Sequence, residues 1–158
     1  MANTYTQIYM HIIFAVKNRM SLITPEHESG LYAYIAGACN NHKHHLFAIG
    51  GWKDHVHLLI GMHPAESVSD LVQSLKIQTS KWMREHYGVA WFSWQSGFGA
   101  FSYSKSFLPQ VEHYIQNQKE HHKKFSFEEE MRMIYKEAGI DYDERYMMKG
   151  ENTLTDEA

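Results

Sequence analysis

From Tyr5 to Val16 the chain reads YTQIYMHIIFAV, aromatic and β-branched for most of its length, and it ends abruptly at Lys17-Asn18-Arg19. Such a run fits a pleated, buried surface, so it is expected to form a central strand. From Thr24-Pro25-Glu26 to about Asn41 the apolar period lengthens to that of a helix. Thr24 stands as N-cap, Pro25 fits the first turn, and Leu31, Ile35 and Ala38 share one face. His44 to Ile49 and His55 to Ile60, on either side of Gly50-Gly51, read as an antiparallel pair turning at the glycines. A second long helix is expected from Ser67 to about Tyr87, capped by Ser67 or Ser69, with Val68, Leu71, Leu75 and Trp82 among its apolar positions. Trp91 to Ser104 suits a strand broken by a bulge or loop at Gly97 and Gly99, and helices from about Ser106 to His121 and from Ser126 to Ala138 follow. This order predicts an α+β, ferredoxin-like fold: a split β-α-β antiparallel sheet with helices on one face, plus C-terminal helices. Residues 1–148 are expected to form a single domain and 149–158 a flexible tail. The architecture alone names no activity.

With 158 residues, 44% of them hydrophobic, the chain is the size of one domain and can bury a core. Met1 to Tyr5 carry no basic or apolar leader, and no apolar run reaches membrane-spanning length, so a cytoplasmic protein with no membrane partner is expected. A single cysteine, Cys39, excludes an internal disulfide and a cysteine-based zinc site. The net charge of −3 runs against the basic balance that usually supports nucleic-acid affinity. The charge is uneven, however. Acidic residues crowd late in the chain, while Lys119, Lys123 and Lys124 gather at the end of a helix.

The chemistry gathers in His55-Val56-His57. Alternate strand residues share a face, so the two imidazoles project side by side, about 7 Å apart along the strand, a spacing that can hold one metal ion between them. Among twelve histidines in 158 positions about one His-x-His pair is expected by chance, and His42-Lys43-His44 is another. What sets the first pair apart is its frame of Val56, Leu58 and Ile60, which would seat one strand face in the core. Packed or surface histidines remain the competing reading. On the later helix, Leu108, Val111 and Ile115 fall on a packing stripe, and Tyr114, Gln118 and His121 on the stripe beside it. That second stripe can carry a nucleophile and an oxygen ligand toward a cleft; the alternative is a half-buried tyrosine at a core rim.

Three ordered motifs then make the sequence resemble the HUH single-tyrosine transposases, the small TnpA-type enzymes of the insertion-sequence 200/605 group. They are Asp54-His55-Val56-His57 after Gly50-Gly51-Trp52; Trp94-Gln95-Ser96-Gly97-Phe98-Gly99-Ala100-Phe101-Ser102; and Tyr114-Ile115-Gln116-Asn117-Gln118 followed by His121-His122. The resemblance implies that Tyr114 is the nucleophile and that His55, His57 and Gln118 bind a Mg²⁺ or Mn²⁺ ion, with His121 or His122 as possible substitutes for Gln118. It implies a covalent 5′-phosphotyrosine, single-stranded DNA with hairpin ends as substrate, and a homodimer whose tyrosine helices complete each other's histidine sites. Lys17, Arg19, Lys76, Lys81, Arg84, Lys119, Lys123 and Lys124 are then candidates for contact with the DNA backbone. A domesticated hairpin-nicking relative, a non-catalytic hairpin-binding protein and a metal-binding protein unrelated to DNA are the competing functions.

Overall fold

A computed structural model describes residues 3–143. Four strands, β1 (Tyr9–Ala15), β2 (His45–Trp52), β3 (His55–Gly61) and β4 (Gly99–Tyr103), form one antiparallel sheet in the order β2-β3-β1-β4. Helix α1 (Pro25–Asn41) joins β1 to β2, and α2 (Val68–His86) joins β3 to β4. This is the expected ferredoxin-like connection, with the first expected strand at the centre. The C-terminal helices α3 (Leu108–Gln116), α4 (Gln118–His121) and α5 (Phe127–Ala138) complete the described chain. The expected tail at 149–158 lies outside the described residues.

Both faces of the sheet are covered. Ile12, Phe14, Val56, Leu58 and Ile60 point to α1 and α2, where they pack with Leu31, Ile35, Leu71 and Leu75. Alternate residues of the same strands point the other way: Ile13 and Ala15 meet Phe127 and Met131 of α5, and Leu59 meets Leu108, Val111 and Ile115 of α3. Strand β3 is therefore buried on both sides, and His55 and His57 lie beneath the C-terminal helices.

Four boundaries differ from the sequence expectation, the first being the central strand, which begins at Tyr9 and not at Tyr5. The hairpin turns at Lys53-Asp54, and Gly50 and Gly51 lie within β2. Both glycines serve close approach: a Cβ on Gly50 would collide with the Ile115 carbonyl oxygen, and one on Gly51 with the His55 carbonyl oxygen. Of the expected strand from Trp91 to Ser104 only Gly99–Tyr103 joins the sheet, and Trp94 contributes a single bridge to Val16. The expected helix from Ser106 to His121 breaks at Asn117 (φ −97°, ψ 17°), which separates α3 from α4.

Candidate active site

Tyr114 and Gln118 reach His55 and His57 because α3 lays its Leu108-Val111-Ile115 stripe on β2 and β3. The neighbouring stripe then faces the histidine pair. Tyr114 lies with its ring edge toward His57, centroids 5.8 Å apart. Gln118 is buried, its Oε1 3.2 Å from His55 Nε2 and 2.9 Å from His122 Nε2. His121 stands closer to the rim, its Nε2 3.1 Å from Glu130 Oε2.

Glu130 is the residue that sequence reasoning missed. It projects from α5 into the middle of the group and is fully buried. Its Oε1 lies 3.1 Å from His57 Nε2, 3.3 Å from His55 Nε2 and 3.2 Å from His122 Nε2. Its Oε2 accepts from Gln118 Nε2 at 2.8 Å and from the Tyr114 hydroxyl. In the sequence it is the third of three consecutive glutamates behind the Ser126 cap, and looks like a solvated first turn. A signal existed nonetheless: Phe127, Glu130, Met131 and Ile134 recur at helical spacing, which puts Glu130 on the inward face.

Each of the three imidazoles aims Nε2 at the centre and turns Nδ1 to a hydrogen-bond partner outside it. His55 Nδ1 donates to Asp54 Oδ1 at 2.7 Å, and His122 Nδ1 donates to the Phe125 carbonyl oxygen at 3.0 Å. His57 Nδ1 lies 2.8 Å from Nε2 of His11, a buried histidine of β1 that sequence reasoning also passed over. Outer acceptors of this kind are how metal-ligating histidines are oriented. His55, His57, His122 and Glu130 each offer a donor atom, all within 4.8 Å of one another, and Gln118 Oε1 adds a further oxygen. The set fits a divalent ion of mixed nitrogen and oxygen preference.

A second group, His42, His44 and Glu66, is equally compact but bonded differently. His44 Nδ1 accepts the His63 backbone N–H at 2.9 Å, so its one ring proton sits on Nε2 and is donated to Glu66 Oε1 at 2.7 Å. A nitrogen that carries a proton is no ligand, and this group reads as a hydrogen-bonded clamp between the α1–β2 connection and the β3–α2 connection.

Electrostatics at the central cluster follow from the buried carboxylate. Burial alone would neutralise Glu130, but the imidazoles of His57, His122 and His55 packed against it hold it far below the ordinary carboxylate range. His55 is also opposed by burial, yet its bonds to Asp54 and Glu130 raise it to about 9. His57 and His11 go the other way, to about 4 and about 3, chiefly through burial. Burial and the Glu130 charge raise the Tyr114 phenol well above its usual range, so it is held as a neutral donor.

The eight candidate backbone-contact residues divide by placement. Arg19 turns inward on a left-handed backbone (φ 52°), donates to Asp54 Oδ2 at 3.2 Å and pairs with Glu128, so it buttresses the carboxylate that holds His55. Lys76 donates to the carbonyl oxygens of Gln95 and Gly97, at 2.8 and 2.6 Å, and Arg84 donates to that of Phe92 at 3.0 Å, so both fasten the segment before β4. Lys119 pairs with Glu28 and Lys123 with Glu120 at the surface. Lys17, Lys81 and Lys124 are exposed.

The model of the "Transposase IS200 like" family matches residues 4–118. A crystal structure of a candidate transposase from Deinococcus radiodurans is similar, with a TM-score of 0.60 at 25% identity over 75% of this chain and 96% of that one. So is the structure of a REP-associated tyrosine transposase bound to a REP hairpin, with a TM-score of 0.58 at 15% identity over 77% of this chain and 73% of that one. Among curated proteins none matches.

Proposed function

This chain belongs to the IS200-like transposase family, and on that premise we propose that it cleaves and rejoins single-stranded DNA at element-end hairpins through a 5′-phosphotyrosine. One observation carries the reading. The Tyr114 hydroxyl, the two strand histidines and the Gln118 amide nitrogen converge on one buried carboxylate, although they come from elements far apart in the chain.

His55, His57 and Gln118 would hold a divalent metal, with His122 and Glu130 within reach as further ligands. The metal would stabilise negative charge on the phosphoryl oxygens and on the leaving 3′-oxygen. Several imidazole donors favour Mn²⁺ over Mg²⁺, which prefers oxygen. Tyr114 Oη attacks the scissile phosphorus and the bond to the 3′-oxygen breaks. The phenolic proton has its acceptor in place, since Tyr114 already donates to Glu130, and a proton is returned to the leaving 3′-oxygen. The products are a 5′-phosphotyrosine and a free 3′-hydroxyl; attack by the 3′-hydroxyl of a different DNA end reverses the step and joins the strands. A hairpin substrate is supported by the REP hairpin bound to the similar transposase. A homodimer that exchanges tyrosine helices is the family expectation, but Tyr114 here meets the histidines of its own chain, and we propose that one chain completes the site.

The test is cleavage of labelled single-stranded DNA carrying the hairpin ends of the protein's own locus. The reading predicts Mn²⁺-dependent scission that leaves a free 3′-hydroxyl and a protein-blocked 5′ end, lost in Tyr114→Phe. Tight binding without scission would instead identify a hairpin-binding module that keeps the fold without the chemistry.

A further inference from the structure

His11 lies in the middle of β1 on the face that carries the site, 2% exposed, with its ring stacked on His57 at 5.0 Å between centroids and 27° between planes. Ile13 is the cross-strand partner of His57, so His11 is its diagonal neighbour on that face. The rings of Phe101, Tyr103 and Tyr114 wall it in. At 2.8 Å its Nε2 and His57 Nδ1 share one hydrogen bond, which requires one donor and one acceptor. Only two proton arrangements are open to the neutral pair. When His11 donates, the single proton of His57 sits on Nε2, facing Glu130 Oε1 at 3.1 Å, and that nitrogen has no lone pair to give. When His57 donates from Nδ1, its Nε2 is free.

We propose that His11 is a positioning residue that accepts the Nδ1–H of His57 and so fixes the imidazole in the tautomer and orientation that leave Nε2 available to a divalent metal. The inference rests on the reading of His57 as a ligand. His55 and His57 are thus supported differently: a carboxylate buttressed by Arg19 holds the first, an uncharged ring buried in the sheet the second.

Mn²⁺ binding to the full chain, measured by calorimetry without DNA, separates the two claims. His57→Ala should abolish binding. His11→Ala should weaken it about 10- to 100-fold, the usual loss when an outer-shell partner is removed. His11→Gln, whose amide oxygen can accept at similar reach, should restore most of the affinity, whereas His11→Phe keeps the ring packing without an acceptor and should not. Equal affinity in the Gln and Phe variants would reduce His11 to packing and overturn the proposal. Wild-type affinity in His11→Ala beside none in His57→Ala would overturn it too, while leaving the ligand assignment standing. Wild-type affinity in His57→Ala would instead remove the metal reading on which the proposal rests.

Discussion

At the scale of single residues the account turns on where protons sit. In the metal-free protein His11 and His57 stay uncharged down to about 3 and about 4, whereas in the unfolded chain they titrate near 6.5. The unfolded chain takes up protons first, so these residues lose stability as pH falls below about 6.5. His55, raised to about 9, contributes stability that is full below 6.5 and disappears as pH rises through 9. Melting temperature measured in EDTA should therefore peak near pH 6.5 and fall more steeply on the acid side, where Asp54, held below its ordinary range against burial by His55 and Arg19, adds to the loss. A melting temperature that climbed steadily from pH 5 to 9 would contradict these assignments. Glu130→Ala should destabilise the metal-free protein by about 3–5 kcal/mol, because it strands imidazolium charge in a buried site; a loss below about 1 kcal/mol in chemical denaturation would mean that the cluster is not ion-paired. At this scale the sequence was partly legible. His55, His57, Tyr114 and Gln118 stood out through motif and spacing, whereas Glu130 was masked by its acidic neighbours. His11 was passed over because a lone histidine in an apolar strand carries no pattern of its own.

Elements bring these residues together through two local devices. Gly50 lets the end of α3 sit directly on β2, so Gly50→Ala should push Ile115 outward and carry Tyr114 with it. Cleavage should fall by at least about 10²-fold, as small misplacements of reacting groups do, while Mn²⁺ binding at the strand histidines falls less. Equal loss of both would mean that the glycine supports the sheet and not the placement of the tyrosine helix. The second device is the capping box of α5, in which Ser126 Oγ accepts from the Glu129 backbone N–H at 3.2 Å and Glu129 Oε1 from that of Ser126 at 3.3 Å. Ser126→Ala should cost about 1 kcal/mol and loosen the helix that delivers Glu130, a shift of a few degrees in melting temperature. The start of this helix at Ser126 could be read from the chain without its capping box, and Ser67, one of two candidate caps of α2, is the one that accepts the Asp70 backbone N–H. The Gly50-Gly51 pair misled because tight turns and close backbone approach both call for glycine, and only the packing of α3 distinguishes them.

Over the whole molecule, the strand order places β3 between β1 and β2 with helices on both faces, which buries the histidine pair under the C-terminal helices. The sequence foretold the element order and the central strand, since both follow from hydrophobic period. It could not foretell that Asn117 breaks the tyrosine helix, or that α5 closes over the site, because each depends on contacts between distant segments. The proposed closure within one chain has a direct consequence. Mixtures of Tyr114→Phe and His57→Ala proteins should remain inactive, since neither chain holds a full set; recovered cleavage in the mixture would show that the tyrosine helix acts on a partner's histidines. Among the described residues no helix is long and apolar enough to cross a membrane. The central claim is that Tyr114 itself takes the DNA. Mass spectrometry of the protein digested after reaction with Mn²⁺ and its hairpin-ended single strand tests it most directly. The account predicts a nucleotide adduct on the peptide that contains Tyr114 and on that residue; an adduct on another residue, or cleaved DNA with no adduct on the protein, would contradict it.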